Sequence, residues 1–189
     1  MPEDVRARRS LANLPITEPL RMSDQPVTSI APDRFVSGKT MLFVGTRRYC
    51  RFEEHAGIGS LWHAFGALLG SITYTIPGAA FGLYLAPVDP GDEVGFVYAP
   101  AVEDSRLSDL PEGLSGIGIA PRAWVVFRHA GHVSDLGATC AAAREWLAVS
   151  GRQPADCAMQ MIERYRPEFA SGSGNGGCDV WIPVAAQVA

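Results

Sequence analysis

Closely spaced cysteines are missing from this 189-residue sequence. No two of its four cysteines form the Cys-x-x-Cys pair that is typical of zinc sites and of thiol–disulfide exchange. Isolated cysteines usually serve as small, buried apolar residues. We therefore expect reduced, structural thiols at Cys50, Cys140, Cys157 and Cys178.

Long apolar runs and strong positive charge are missing as well. No run reaches the roughly 18 apolar residues of a membrane-spanning helix. The first 30 residues contain prolines and charges in place of a secretory signal. We expect no membrane association and a cytoplasmic location. The formal net charge of −4 argues against direct contact with nucleic acid, which requires a concentrated basic surface.

Familiar signatures of catalysis and metal binding are absent too. The chain has no Gly-x-Ser-x-Gly nucleophile motif, and its glycine-rich stretch 171–177 lacks the Gly-Lys-Ser/Thr ending of a phosphate-binding loop. His129 and His132 lie three residues apart, but no third ligand follows at a recognisable spacing. We predict no metal or other cofactor, and we interpret both histidines as turn residues.

The sequence does contain one pattern of elements that occurs twice. The spacing of apolar residues predicts strand, helix, strand, strand, and then the same order again. The first set is a long strand within 34–49 kinked near Gly38, a helix from Gly57 to Gly70, and strands at 81–86 and 94–102. The second set is a strand at 122–130, a helix from about Asp135 to Val149 capped by Ser134, and strands at 159–165 and 178–184. Residues 71–79 and 103–120 are predicted loops.

The spacing of aromatic residues supports a duplication. Nineteen residues separate Phe43 from Trp62, and nineteen also separate Phe127 from Trp146. We predict an α+β fold of two βαββ repeats, at about 32–104 and 120–184, related by a pseudo-two-fold axis. Both repeats lie in one domain at 31–186, after a flexible arm at 1–30. Two amphipathic helices over a shared sheet leave a central groove, which is a natural small-molecule site.

The strand Met159–Tyr165 contains the candidate functional residue, Glu163. Strict alternation puts Met159, Met161, Glu163 and Tyr165 on one face. A carboxylate among apolar neighbours is unfavourable unless something compensates its charge, and a lipophilic cation would do so. The alternative is a structural ion pair with an arginine such as Arg128.

Aromatic and soft apolar residues are candidates for the walls of the groove. A cation over an aromatic face gains roughly 0.5–2 kcal/mol, and methionine adapts to guests of varied shape. Core packing alone also explains Phe127 and Met161. The candidate ligand-binding set is Glu163, Trp62, Tyr84, Tyr98, Phe127, Met161 and Tyr165.

Three motifs resemble those of a known family. The runs Pro121–Ser134, Ile162–Phe169 and Asp179–Val184 are similar to segments of the GyrI-like effector-binding domains. These domains occur at the C-termini of AraC-type transcription regulators and as stand-alone bacterial and integron-cassette proteins. The resemblance covers roughly residues 32–184. It implies an antiparallel sheet of about eight strands with two main helices, and a groove for lipophilic, often cationic or aromatic compounds in which Glu163 and Trp62 lie.

The resemblance leaves three functions open. The first is a multidrug-binding module that senses or sequesters lipophilic small molecules without its own DNA-binding domain, alone or with a separate regulator protein. The second is a hydrolase of reactive, cyclopropane-bearing compounds, in which Glu163 and Tyr165 or Tyr98 activate water. The third is a protein-interaction partner of the gyrase-inhibitor type. Sequence alone decides neither between these functions nor whether the protein is an enzyme.

Overall fold

Nine antiparallel strands and two α-helices make up the described part of the chain, which in the computed structural model is residues 30–51, 57–87, 95–169 and 177–186. Apart from Ile30, the predicted N-terminal arm lies outside these residues, as does the glycine-rich stretch apart from Gly177. The strands are β1 (Arg34–Gly38), β2 (Met41–Gly45), β3 (Arg48–Arg51), β4 (Thr75–Leu85), β5 (Gly95–Asp104), β6 (Ser115–Ile119), β7 (Arg122–His129), β8 (Met159–Tyr165) and β9 (Cys178–Val184). The helices are α1 (Gly57–Leu68) and α2 (Leu136–Val149).

The sheet order confirms the predicted duplicated α+β fold. The strands follow one another in the order β1-β7-β9-β8-β4-β5-β2-β6, and β3 also pairs with β5. The strands that follow the helix in each repeat, β4 and β8, are antiparallel neighbours at the centre. On either side of them lie β5 and β9, followed by β3 with β2 and by β7, so the two halves mirror each other about the β4–β8 pair.

The first predicted strand, 34–49, is in fact three strands. β1 pairs with β7 of the second repeat, whereas β2 and β3 pair with β5 of the first. The sequence pattern predicts that this region is extended, but it does not specify which strand each of the three strands pairs with. β4 also starts earlier than predicted, at Thr75, because a register shift between Thr75 and Ala80 accommodates the Pro77-Gly78 pair that was interpreted as a loop.

The predicted loop 103–120 contains a strand, β6, which pairs with β2. Ile117 and Ile119 are buried on one face of β6, and glycines alternate with them on the other. Glycine is depleted in strands, which hid the alternation. A side chain at Gly116 would approach within 3.3 Å of Leu107, so this glycine allows the preceding loop to pack closely over the strand.

The sheet curls so that its two ends approach each other. β1 stands first in the strand order and β2 seventh, yet only residues 39 and 40 connect them. Three Cα–Cα steps span at most about 11 Å. The ends do not pair among the described residues, so the sheet is curled but open. A compact apolar core fills its helix-free face, with Phe43, Leu83, Trp124, Val126 and Ile162 among its members.

Both helices pack on the opposite face of the sheet. α1 buries Ile58, Leu61 and Phe65, and α2 buries Leu136, Cys140 and Ala143, at the three- and four-residue spacings of an amphipathic helix. The helix-side core includes Tyr84, Phe96, Tyr98, Phe127, Met161, Tyr165, Cys178 and Val180. Neither described helix, of 12 and 14 residues, is long enough to cross a lipid bilayer.

A bulge in β8 corrects the predicted face of Met159. Tyr84 pairs with Met161, but the next residue, Leu85, pairs with Met159, so Gln160 is the extra residue of the bulge. The shift turns Met159 onto the helix-free face, where it packs beside Ile162. The prediction that Met159 shares a face with Glu163 is therefore wrong, because it assumed uninterrupted alternation.

The start of α2 also differs from the prediction. Ser134 lies in a short 3₁₀ turn, Val133–Asp135, and the residue before α2 is Asp135, whose side chain makes no capping hydrogen bond. The imidazole of His132 caps the 3₁₀ turn by accepting a hydrogen bond from the backbone N–H of Ser134. Either Ser134 or Asp135 is a suitable N-cap by residue type. The 3₁₀ turn places the start of α2 at Leu136, one residue later than predicted.

Candidate functional site

Three tyrosine hydroxyls converge on the buried carboxylate of Glu163. Tyr84 donates to Oε1 at 2.7 Å, and Tyr165 and Tyr98 donate to Oε2 at 2.8 and 3.0 Å. Tyr84 and Tyr98 lie on the adjacent strands β4 and β5, directly opposite each other in register. Glu163 and Tyr165 are two residues apart on β8 and so point to the same face. The four residues form what we call the tyrosine–carboxylate cluster.

Trp62 of α1 closes the cluster from the helix side. Its indole N–H donates to the hydroxyl of Tyr98 at 3.0 Å, and its ring meets that of Tyr165 edge-on with centroids 5.5 Å apart. Phe96 stacks on Tyr84, and Phe169 packs against Tyr165. Trp62 is half-buried whereas these other aromatic side chains are buried, so the cluster is nearest to solvent beside Trp62.

Gly82 provides the space that the carboxylate occupies. It stands opposite Glu163 in the β4–β8 register. A Cβ at this position would lie 2.5 Å from Oε2 of Glu163 and 2.3 Å from the Tyr98 hydroxyl, which is closer than atoms can approach. The periodicity of the sequence did not identify Gly82 as part of the site. The available signal was a glycine within a strand, which often marks a close approach by another group.

Burial and hydrogen bonding act in opposite directions on Glu163. Its side chain is 4% exposed, and loss of water raises its pKa above the ordinary value. The hydrogen bonds from Tyr84, Tyr165 and Tyr98 lower the pKa because they stabilise the charged form, and the positive charge of Arg144 lowers it further. The net direction is upward. Among the described residues no arginine, lysine or histidine forms an ion pair with Glu163.

The surrounding acids are all held in their neutral forms. Burial raises the pKa of Tyr84, Tyr98 and Tyr165 well above the usual tyrosine range, and the negative charge of Glu163 raises it further. The same two causes, in the same order, raise the pKa of the buried thiols of Cys140 and Cys178. All five groups therefore face Glu163 as neutral hydrogen-bond donors or apolar groups, and none neutralises its charge.

The structure brings together most of the predicted ligand-binding residues. Glu163, Trp62, Tyr84, Tyr98 and Tyr165 are linked by hydrogen bonds, and buried Met161 is cross-strand from Tyr84. Phe127 is buried on the same face, but its ring packs against Trp146 of α2 at 5.5 Å. Phe127 thus lies within the core under the second helix and has no ring contact with the cluster.

The alternative of an ion pair between Glu163 and Arg128 does not fit the structure. Arg128 is exposed at the end of β7 and stands opposite Asp179 of β9. Asp179 packs on the helix-free side of the sheet, because it alternates with Cys178 and Val180 of the helix-side core. The two side chains of the suggested pair therefore lie on opposite faces.

Of the two histidines predicted as turn residues, only His132 lies in the turn before α2, whereas His129 is the last residue of β7. His129 is buried, with Nδ1 2.8 Å from the Thr139 hydroxyl and Nε2 2.9 Å from the carbonyl oxygen of His132. In the described part of the chain, no three histidine, cysteine, aspartate or glutamate side chains are close enough together to hold a metal ion.

This geometry is suited to binding a positive charge. A carboxylate that receives three neutral hydrogen bonds is fixed in position but keeps its net charge. Aromatic rings on several sides favour a cation further, since their faces are negatively polarised. A guest that combines a positive charge with an apolar surface complements both features at once.

Comparisons with known proteins point to one family of small-molecule-binding domains. A family profile described as a GyrI-like small molecule binding domain matches residues 34–185. No curated protein matches the chain.

Solved structures resemble the chain in fold at low identity. SAV2435 bound to tetraphenylphosphonium superposes with a TM-score of 0.65 at 14% identity, covering 81% of this chain and 93% of that one. The C-terminal domain of EcmrR gives 0.59 at 14% identity, covering 82% and 97%. The integron cassette protein VCH_CASS2 from the mobile metagenome of Vibrio cholerae gives 0.57 at 16% identity, covering 82% and 95%.

Proposed function

The chain belongs to the GyrI-like small-molecule-binding family, and from this premise we propose that it binds lipophilic organic cations at the tyrosine–carboxylate cluster. Glu163 supplies the compensating charge, its three tyrosines hold the carboxylate in place, and Trp62 forms the wall at the entrance. The observation that carries the proposal is a buried carboxylate that neutral donors alone satisfy.

The energetics favour a cation over a neutral guest. At about 4 Å and an intermediate dielectric constant, two opposite charges attract by about 4 kcal/mol before desolvation is subtracted. The carboxylate has already lost its water on folding, so a guest adds only its own desolvation cost. That cost is small for a cation whose charge is shielded by aromatic or alkyl groups. Small hydrated cations should therefore bind far more weakly than lipophilic ones.

The biological role we propose is sensing or sequestration of such compounds. Support for a sensing role comes from the similarity in fold to EcmrR, which has been solved in a complex with DNA and of whose chain the match covers 57%. In this proposal the chain acts in the cytoplasm, and a separate regulator protein reads its ligand-bound state.

Two ions of the same shape test the proposal. Tetraphenylphosphonium and tetraphenylborate match closely in size and apolar surface and differ in the sign of their charge. We expect saturable quenching of tryptophan fluorescence by the phosphonium and none by the borate at the same concentrations. Glu163→Gln should weaken phosphonium binding by at least about thirtyfold, or about 2 kcal/mol, the lower range for truncating one member of a close charge pair.

The matched control for this experiment is Glu168→Gln, which removes an exposed carboxylate on the same strand-to-loop segment. It should change phosphonium affinity by less than about twofold, because exposed charges are screened by water and salt. Equal affinity for the two ions, or equal losses in the two variants, would contradict the electrostatic role of Glu163.

The hydrolase and protein-partner hypotheses stay predictions. A hydrolase of this design requires a second acid or base beside Glu163, but the ionisable groups that donate to it in the described structure are three tyrosines that burial keeps protonated. On the surface of the described residues, no feature favours a gyrase-type partner. Neither hypothesis has a specific structural observation in its favour.

A further inference from the structure

Four arginines gather around Asp179 at one end of the sheet. Arg128 of β7, Asp179 of β9 and Arg164 of β8 form a row across three neighbouring strands. Arg34 reaches the same aspartate from β1, and Arg166 follows directly after β8. This end of the protein is therefore locally basic, in contrast to the net charge of −4 for the whole chain.

The ion pairs at this end use only half of these arginines. Arg34 and Arg164 both approach Oδ2 of Asp179, at 3.1 and 3.9 Å. Neither Arg128 nor Arg166 forms an ion pair with any residue that the structure describes. The Nε–H of Arg166 is buried and has no hydrogen-bond acceptor within the same residues. A buried donor without an acceptor is costly, so an acceptor from outside the chain would be stabilised there.

The two unused arginines line one surface depression. It has a volume of about 380 Å³, and its walls are Arg128, His129, Ala130, Arg166, Glu168 and Gly177. Glu168 is the one acid among these residues and has interactions of its own. Both ring nitrogens of His129 are engaged by Thr139 and His132. The two guanidinium groups thus set the charge of the depression.

From this geometry we infer that the depression is a second binding site, for a small oxyanion: a carboxylate or a phosphate group. Guanidinium groups bind such oxyanions through two parallel N–H donors, and the Nε–H of Arg166 is one donor of such a pair. The site is independent of the proposed cation site, because it uses neither Glu163 nor the tyrosines. One chain would then hold a cation and an anion at separate places.

Titration with inorganic phosphate and with acetate, followed by NMR of ¹⁵N-labelled arginine side chains, tests the inference. Sodium chloride is adjusted to keep the ionic strength constant. We expect a saturable shift of the Arg166 Nε–Hε signal with at least one of the two anions. A response to phosphate alone assigns the site to phosphate groups, a response to acetate alone assigns it to carboxylates, and a response to both assigns it to oxyanions in general.

Variants localise the site. Arg128→Gln, followed at the Arg166 Nε–Hε signal, should raise the dissociation constant at least about tenfold. Arg166→Lys, followed at the Arg128 Nε–Hε signal, should do the same, because the lysine keeps the charge but loses the forked donor geometry. Arg106→Gln is the matched control, since Arg106 lies over the Tyr74 ring elsewhere on the surface, and it should change the constant less than about twofold. The backbone spectrum shows in each case that the variant is folded. A shift that rises linearly without saturation, or is unchanged by both site variants, would overturn the inference.

Discussion

Two buried carboxylates lie one register step apart on β8 and β9 and are satisfied in different ways. Glu163 stands opposite Val180, and the next pair in the ladder is Arg164 with Asp179. Glu163 is 4% exposed and is held by three tyrosine hydroxyls, whereas Asp179 is 1% exposed and is held by two arginines. Asp179 therefore has ionic partners on the helix-free face of the sheet, whereas the hydrogen-bond partners of Glu163 on the helix side are neutral.

Under the proposed function, this difference separates a structural acid, Asp179, from a binding acid, Glu163. Asp179 ties β1 to the sheet, because Arg34 comes from β1 and Arg164 from β8. Its charge is already matched, so a cationic guest gains little from it. The tyrosines around Glu163 supply hydrogen bonds without matching its charge, which leaves the attraction for a guest. Burial alone does not distinguish the two acids; the charge of their partners does.

Among the variants considered, Gly82→Ala should have the largest effect, because it disrupts the hydrogen bonds around Glu163 and leaves Asp179 unchanged. The new methyl group would overlap both Tyr98 and Glu163, so the cluster must rearrange. We expect a loss of about 3 kcal/mol in the free energy of unfolding, the upper range for overpacking, and loss of phosphonium binding. Urea denaturation and the fluorescence titration measure the two.

The matched control is Gly118→Ala on β6, where a Cβ would meet only Leu42 at an ordinary 3.8 Å. This exposed position should change stability by less than about 0.5 kcal/mol. Equal losses in the two glycine variants would mean that Gly82 has no special relation to the cluster.

Replacing Asp179 and Glu163 by their amides should change the free energy of unfolding by an intermediate and unequal amount. Asp179→Asn removes the charge that Arg34 and Arg164 share, and it leaves Arg34 only its ion pair with Asp33. We expect about 2 kcal/mol of destabilisation, less than for fully buried pairs because both arginines are about one-third exposed. Glu163→Gln should cost below about 1 kcal/mol, since it removes a buried charge that carried no ion pair. Denaturant unfolding of the two variants checks this, and the reverse ranking would contradict the assignment of roles.

The smallest effect concerns pH. The pKa of Glu163 is raised in the folded protein, so between the ordinary value of 4.5 and the raised value the folded state keeps a proton that the unfolded chain has released. Stability should therefore fall as pH increases through this window and then level off, by about 1.4 kcal/mol for each unit of pKa elevation. Glu163→Gln should lack this component. Denaturation midpoints of both proteins at several pH values give the test; parallel curves would contradict it.

Cation affinity should increase over the same window, because only the charged carboxylate attracts the guest.

Sequence periodicity was sufficient for the architecture because buried faces repeat at fixed intervals. In the strand predicted at 81–86, Phe81 and Leu83 lie in the core of the helix-free face and Tyr84 lies in the helix-side core, as residues that alternate along a strand do. The duplicated spacing of Phe43–Trp62 and Phe127–Trp146 likewise anticipated the two halves. The resemblance to the GyrI-like domains then predicted Glu163 and Trp62 as neighbours in one groove.

Features that depend on contacts between residues distant in sequence could not be predicted from sequence periodicity. The Gln160 bulge depends on how β8 registers against β4, so alternation alone misplaced Met159. β6 was hidden because Gly116 and Gly118 weaken the strand signal. The convergence of Tyr84, Tyr98 and Tyr165 on one carboxylate joins three strands, and no local pattern specifies their distances. Gly82 gains its meaning only once those three hydroxyl groups are in place.

The outermost strands have a consequence for how the chain holds together. β1 comes from the first half of the sequence but borders the second half of the sheet, while β6 follows the first repeat along the chain and borders its β2. Cleavage of the chain between Asp104 and Ser115 would give two fragments. β1 of the first fragment pairs with β7 of the second, and β6 of the second pairs with β2 of the first. Each half of the sheet thus contains an edge strand from the other part of the sequence. Neither βαββ unit alone would therefore retain all the strands of its half of the sheet.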